Sequence, residues 1–262
     1  DSMFGFLGAK KNQIPLFEKD EFRLTPDQVQ EKISDETKLI LLNSPQNPTG
    51  GVLKKKDVEV IAELAEEHNT YVLSDEIYSK MLYDGQRHYS PAYLDECKER
   101  TMIVDGFSKA YSMTGWRLGY IVAPKEIIHR IDMLFADVAS CTTSFVQKGG
   151  VAALKEGEDF VKYIMKKFTE RRTAIVNGLN EVPGFSCILP KGAFYAFPNI
   201  SKTGMNSEDL ANTIIEEAKV CLLPGTAFGS QGEGFLRLSY ASSLENIDEG
   251  INRLKKTMEK LL

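Results

Sequence analysis

The chain has 262 residues, of which 42% are hydrophobic and 26% charged, with a formal net charge of −5. That length can bury one large or two modest cores, and the composition is that of an ordinary globular protein. An acidic balance whose one basic run is Lys54-Lys55-Lys56 argues against a nucleic-acid partner, and no apolar run approaches a membrane span.

Short apolar runs alternate with amphipathic stretches, which predicts an α/β sheet with helices on its faces. Strands are expected at 13–17, 38–42, 70–74, 101–105 and 120–123. A short helix is expected at 25–33, with Thr25 as N-cap and Pro26 in its first turn. A longer helix is expected at 56–68, where Val58, Ile61, Ala62, Leu64 and Ala65 share one face between the marks of Asp57 and His68-Asn69. After about residue 139 the texture changes. Helices are expected at 144–154, 159–179, 207–218 and 246–261, and strands at 185–188, 193–197, 220–223 and 235–240. The reading is a large domain over 1–165 with a mostly parallel sheet, followed by a smaller α+β domain over 166–262.

Cys97, Cys141, Cys187 and Cys221 are dispersed without a CxxC pair, and His68, His88 and His129 make no ligand pattern. Neither a disulfide framework nor a metal site is expected. With no signal design in Asp1-Ser2-Met3-Phe4-Gly5, the expected compartment is the cytoplasm.

The chemistry concentrates in four places. Asn43-Ser44-Pro45-Gln46-Asn47-Pro48-Thr49-Gly50 is a rigid loop directly after an expected strand, where α/β sheets bind ligands; a plain turn is the simpler alternative. Asp75, in Ser74-Asp75-Glu76-Ile77-Tyr78, leaves the next strand and could serve either as a helix N-cap or as a partly buried carboxylate that requires a cation. Asp105-Gly106-Phe107-Ser108-Lys109-Ala110-Tyr111-Ser112-Met113-Thr114-Gly115-Trp116-Arg117 surrounds one lysine with small residues, a hydroxyl before it and a guanidinium after it. A lysine amine freed of its proton forms an imine with an aldehyde, and a hydroxyl with a guanidinium suits a phosphate. The combination points to a phosphorylated aldehyde, pyridoxal 5'-phosphate (PLP). Arg237 alternates with apolar neighbours in Phe235-Leu236-Arg237-Leu238-Ser239-Tyr240. It either faces solvent or clamps a carboxylate.

In this order and spacing, NSPQNPTG, SDEIY, GFSKAYSMTGWRLGY and RLSYA resemble the class I/II aminotransferases, PLP enzymes of fold type I, in the branch of aspartate and broad-range enzymes. The resemblance runs over essentially the whole chain. It implies that Lys109 is the Schiff-base lysine and proton shuttle, and that Asp75 partners the pyridine nitrogen. Tyr78 and Asn47 become donors to the cofactor's phenolic oxygen, with Asn47 also near substrate and its bond to Pro48 in the cis form. Ser108 and Arg117 become phosphate ligands, and Arg237 the α-carboxylate arginine. The implied activity is ping-pong transfer of an amino group between an L-amino acid (aspartate or a broad range) and a 2-oxo acid such as 2-oxoglutarate. A homodimer is implied too. The family's N-terminal arm, first strand, glycine phosphate loop and ring-stacking aromatic have no counterpart here, so the resemblance describes an N-terminally truncated member that enters the fold at the helix over 2–9. Other readings of the same scaffold are a carbon–sulfur β-lyase, a cyclopropane-forming synthase, or a non-catalytic ligand-binding domain or fragment.

Overall fold

The computed structural model describes residues 2–262; Asp1, with which the expected first domain and the reading of the N-terminus begin, lies outside the described residues. The helices are α1 (Ser2–Phe6), α2 (Pro26–Gln30), α3 (Lys55–Glu67), α4 (Asp95–Lys98), α5 (Lys125–Ala139), α6 (Ser144–Glu156), α7 (Glu158–Asn180), α8 (Ser207–Glu217) and α9 (Leu244–Leu261). The strands are β1 (Leu39–Asn43), β2 (Tyr71–Asp75), β3 (Thr101–Gly106), β4 (Gly119–Val122), β5 (Tyr195–Ala196), β6 (Leu223–Pro224) and β7 (Leu236–Ser239). The chain divides into two compact units, one of Leu24–Gln46 and Val52–Lys166, the other of the residues up to Arg23, Asn47–Gly51 and Lys167–Leu262.

The first unit is built on a sheet ordered β1-β2-β3-β4, in which β1/β2 and β2/β3 run parallel and β3/β4 antiparallel. Register places Ile40 beside Val72, Leu42 beside Ser74, and Val72 beside Thr101, and all five are buried on one face. The alternating set, Leu39, Leu41, Tyr71 and Val104, stays exposed. Helix α3 buries Val58, Ile61, Ala62, Leu64 and Ala65, the face its periodicity predicts. Asp57 Oδ2 accepts the Lys54 backbone N–H at 2.7 Å to close its start, and Asn69 at φ 48° turns the chain away at its end. At α2, Thr25 N donates to Gln28 Oε1 at 2.9 Å, a capping box that holds a helix shorter than expected.

Helix α5 has no counterpart in the sequence expectations. Its Ile127, Ile128, Ile131, Leu134, Phe135 and Val138 follow helical spacing, yet none of its residues is buried. Its N-cap is Pro124, which makes no side-chain capping bond, so the polar residue that usually marks a start is missing.

In the second unit the sheet is antiparallel with order β5-β7-β6. Helix α9 buries Ile247, Ile251, Leu254 and Met258, and Ser243 Oγ caps it by accepting Asn246 N at 3.2 Å. Two expected strands fail, and the one expected at 220–223 shares only Leu223 with β6. Residues 13–17 form none, because Pro15 removes a ladder donor from the middle of a five-residue stretch. Residues 185–188 make a single bridge, Ser186 with Asn199. Their remaining pairing is taken by a side chain: Asn180 accepts Cys187 N at 2.8 Å and donates to Cys187 O at 3.0 Å.

All four cysteines are free. No described helix is long and apolar enough to cross a membrane, and no His/Cys/Asp/Glu group among the described residues could hold a metal ion.

Candidate active site

In the first unit, β2 delivers Asp75 and then turns. Asp75 Oδ1 accepts Ile77 N at 3.2 Å, so it caps a turn; no helix follows for it to cap. Burial pushes its carboxyl above the ordinary aspartate range, against the Ile77 N–H and the Lys109 charge, which pull it down. Asp75 is thus a half-buried carboxylate whose charge lacks full compensation. Tyr78, three residues on, is buried, and Lys109 Nζ lies 5.9 Å from its ring centre.

Lys109 and Ser108 follow β3 on a loop that closes on itself. Phe107 N donates to Leu118 O at 3.2 Å, Met113 N to Phe107 O at 3.2 Å, and Ser112 N to Lys109 O at 3.1 Å. Ser108 and Arg117 each stand one residue from the Phe107–Leu118 bond that seals the loop. Arg117 sits at φ 52°, exposed, with Nη1 on Thr114 O at 2.8 Å.

On the opposite face of the same strand ends lie residues that the motif reading passed over. Glu76 is buried, and its Oε2 is 2.7 Å from His88 Nε2. Burial alone would raise the Glu76 carboxyl, but the bond from His88, with help from the Ser90 and Ser74 hydroxyls, outweighs it and leaves the pKa lowered. Asp105 Oδ1 accepts Gly106 N at 2.6 Å, and Oδ2 accepts the Tyr120 hydroxyl at 3.1 Å. Burial and the neighbouring Asp105 carboxylate push that phenol well above its ordinary range. The available signal was the acid directly after Asp75; its histidine partner is 12 residues away and in no pattern.

In the other unit Arg237 projects half-buried from β7. Its Nη1 donates to Asn47 Oδ1 at 3.1 Å, and its guanidinium carbon is 4.7 Å from the Tyr195 ring centre and 4.6 Å from that of Phe228. The solvent-facing alternative does not describe it. Asn47 is held by a built loop: Ser44–Pro45 and Asn47–Pro48 are cis, and Gly50 O accepts Lys191 N and Gly192 N at 3.0 Å each. Gly50 is at φ 71°, and a Cβ there would lie 2.4 Å from Pro190 Cβ.

The structure therefore brings Asp75, Tyr78 and Lys109 together, sets Ser108 and Arg117 at one loop closure, and pairs Asn47 with Arg237. An under-compensated half-buried carboxylate fits a protonated ring nitrogen, an amine fits an aldehyde, and a hydroxyl with a guanidinium fits a phosphate. The donor set suits PLP.

The fold is that of the aspartate aminotransferases, fold type I. An aromatic aminotransferase from Pyrococcus horikoshii superposes with a TM-score of 0.93 at 42% identity, covering 97% of this chain and 69% of that one. An aspartate aminotransferase from Thermus thermophilus, solved with maleate, gives 0.91 at 34% identity, covering 97% and 66%. The family model for aminotransferase class I and II matches residues 1–254, and the chain belongs to that family. Aspartate aminotransferases of Pyrococcus abyssi and Pyrococcus horikoshii are 42% and 44% identical over 97% and 96% of this chain. The chain spans 65% and 64% of their lengths.

Proposed function

We propose that the protein is a PLP-dependent aminotransferase that moves an amino group between an L-amino acid, aspartate or a broader set, and a 2-oxo acid such as 2-oxoglutarate. The observation that carries this reading is Lys109 beside buried Tyr78 and close enough to Asp75 for its charge to act on that carboxylate. When bound, PLP supplies an aldehyde that accepts the amino group and a protonated ring that draws electron density from the carbon losing its proton.

Within this reading Asp75 balances the charge on the ring nitrogen. An attraction of about 4 kcal/mol at 4 Å and an effective dielectric of 20 is ample for that role. Tyr78 and Asn47 donate to the phenolic oxygen, and Ser108 and Arg117 hold the phosphate. Lys109 anchors the cofactor through Nζ and, once released by the incoming amine, holds the proton that leaves the substrate α-carbon. Arg237, oriented by Asn47, takes the α-carboxylate.

We further propose that residues 1–165 belong to the cofactor-binding domain and 166–262 to the small domain, that the protein is a homodimer, and that it works in the cytoplasm. Family likeness supports the first two proposals, and free, dispersed cysteines support the third. Incubation with PLP, 15N-labelled L-aspartate and 2-oxoglutarate tests the activity. Labelled glutamate is expected; pyruvate and ammonia without amino transfer would contradict the reading.

A further inference from the structure

Arg237 is flanked by aromatic rings that arrive from both sides of its strand. Tyr195 comes from β5, which pairs with β7 on one edge, and Phe228 from the 3-10 turn after β6, which pairs on the other. Both ring centres are under 5 Å from the guanidinium carbon, at 4.7 and 4.6 Å. Nη1 is engaged with Asn47 Oδ1, while Nε is sealed from solvent with no acceptor. Among the described residues no carboxylate forms an ion pair with this cation. A surface arginine would surround its donors with water. Here the rings replace part of that water with a quadrupole attraction, and the Nε–H is left without an acceptor.

Such a guanidinium is held in one orientation and is poorly hydrated, so an incoming carboxylate displaces little water and meets donors already in place. We propose that Tyr195 and Phe228 are positioning residues of the carboxylate seat: they fix the plane of Arg237 and strip its water, and the affinity for a substrate carboxylate depends on them as well as on the arginine. This rests on the reading of Arg237 given under Proposed function and adds to it the aromatic pair that makes the seat competent. Aliphatic replacement would keep most of the apolar volume while removing the quadrupole, and the ring-keeping Phe228→Tyr together with the Arg237 resonance separates the proposed role from simple core packing.

Maleate is the probe, titrated into the full chain by calorimetry while the arginine Nε–H signals are followed by NMR. Phe228→Leu and Tyr195→Leu should each weaken maleate about 3–10-fold and move the Arg237 Nε–H resonance by loss of ring current. Phe228→Tyr, which keeps the ring, should bind within about twofold of wild type. Arg237→Lys serves as the control for the parent reading and should abolish binding. If Arg237→Lys abolishes binding while both leucine variants bind like wild type, the aromatic proposal is overturned and the arginine reading stands. Maleate binding that survives Arg237→Lys, or no binding by the wild-type chain, overturns the carboxylate seat and the aromatic proposal with it.

Discussion

Asp75 and Glu76 are neighbours on opposite faces of one strand end, and burial acts on both with opposite outcomes. Glu76 has His88 at 2.7 Å and ends with a lowered pKa, whereas Asp75 has one backbone N–H and a more distant lysine charge and ends with a raised one. The signs give two predictions. For Glu76, the folded pKa lies below the unfolded one, so its stabilisation is complete above the ordinary glutamate pKa and is lost as pH falls through the folded value. His88→Ala should lower stability by about 3 kcal/mol near neutral pH, because it removes the main compensation of a buried carboxylate. Glu76→Gln should erase the acid step from a plot of melting temperature against pH; an unchanged step would assign it elsewhere. For Asp75, the charged form is costlier in the fold than in the unfolded chain. Asp75→Asn should therefore melt no lower than wild type at neutral pH, with the difference shrinking at acid pH, while amino transfer falls by about 100-fold or more. Destabilisation at neutral pH together with full activity would contradict both the burial argument and the role.

At the scale of elements, the loop after β1 is sensitive to a single atom. Gly50→Ala combines a positive φ with a Cβ 2.4 Å from Pro190 Cβ, so it should cost about 1–3 kcal/mol and loosen Asn47 from Arg237. A chemical melt measures the first effect, and weaker maleate binding would report the second. A melt unchanged within about 0.5 kcal/mol would show that the loop relaxes freely. Strands β1 to β3 were legible because each is a short apolar run ended by polar or turn-forming residues, and α3 because its periodicity and both caps agree. What escaped was structure made by distant partners. Asn180 replaces a strand ladder at Cys187, and the Asn47–Arg237 bond joins residues 190 apart. Helix α5 escaped for a different reason: it lacks a capping side chain, and none of its residues is buried. The motifs pointed to the candidate residues, but neither the aromatic flanks of Arg237 nor the Glu76–His88 pair could be read from spacing.

For the molecule as a whole, the informative feature is apolar surface left in solvent. Leu134, Phe135 and Val138 on α5 are 65%, 43% and 77% exposed, and Leu39, Leu41 and Tyr71 are exposed on one face of the sheet. Soluble monomers seldom leave such stretches bare. The isolated 262-residue chain should bind a hydrophobic reporter dye and self-associate. Leu134→Glu with Val138→Lys should reduce both while shifting stability by no more than about 0.5 kcal/mol, since neither residue is buried. A monomer that excludes the dye would contradict this account of the surface.

The central claim is that Lys109 is the amine that captures the cofactor, and borohydride reduction tests it most directly. The chain is incubated with PLP, reduced, digested and mapped by mass spectrometry. The account predicts one stable phosphopyridoxyl adduct, on Lys109, lost in Lys109→Ala and weakened in Arg117→Ala. Label spread over surface lysines, or an undiminished adduct in Lys109→Ala, would contradict it.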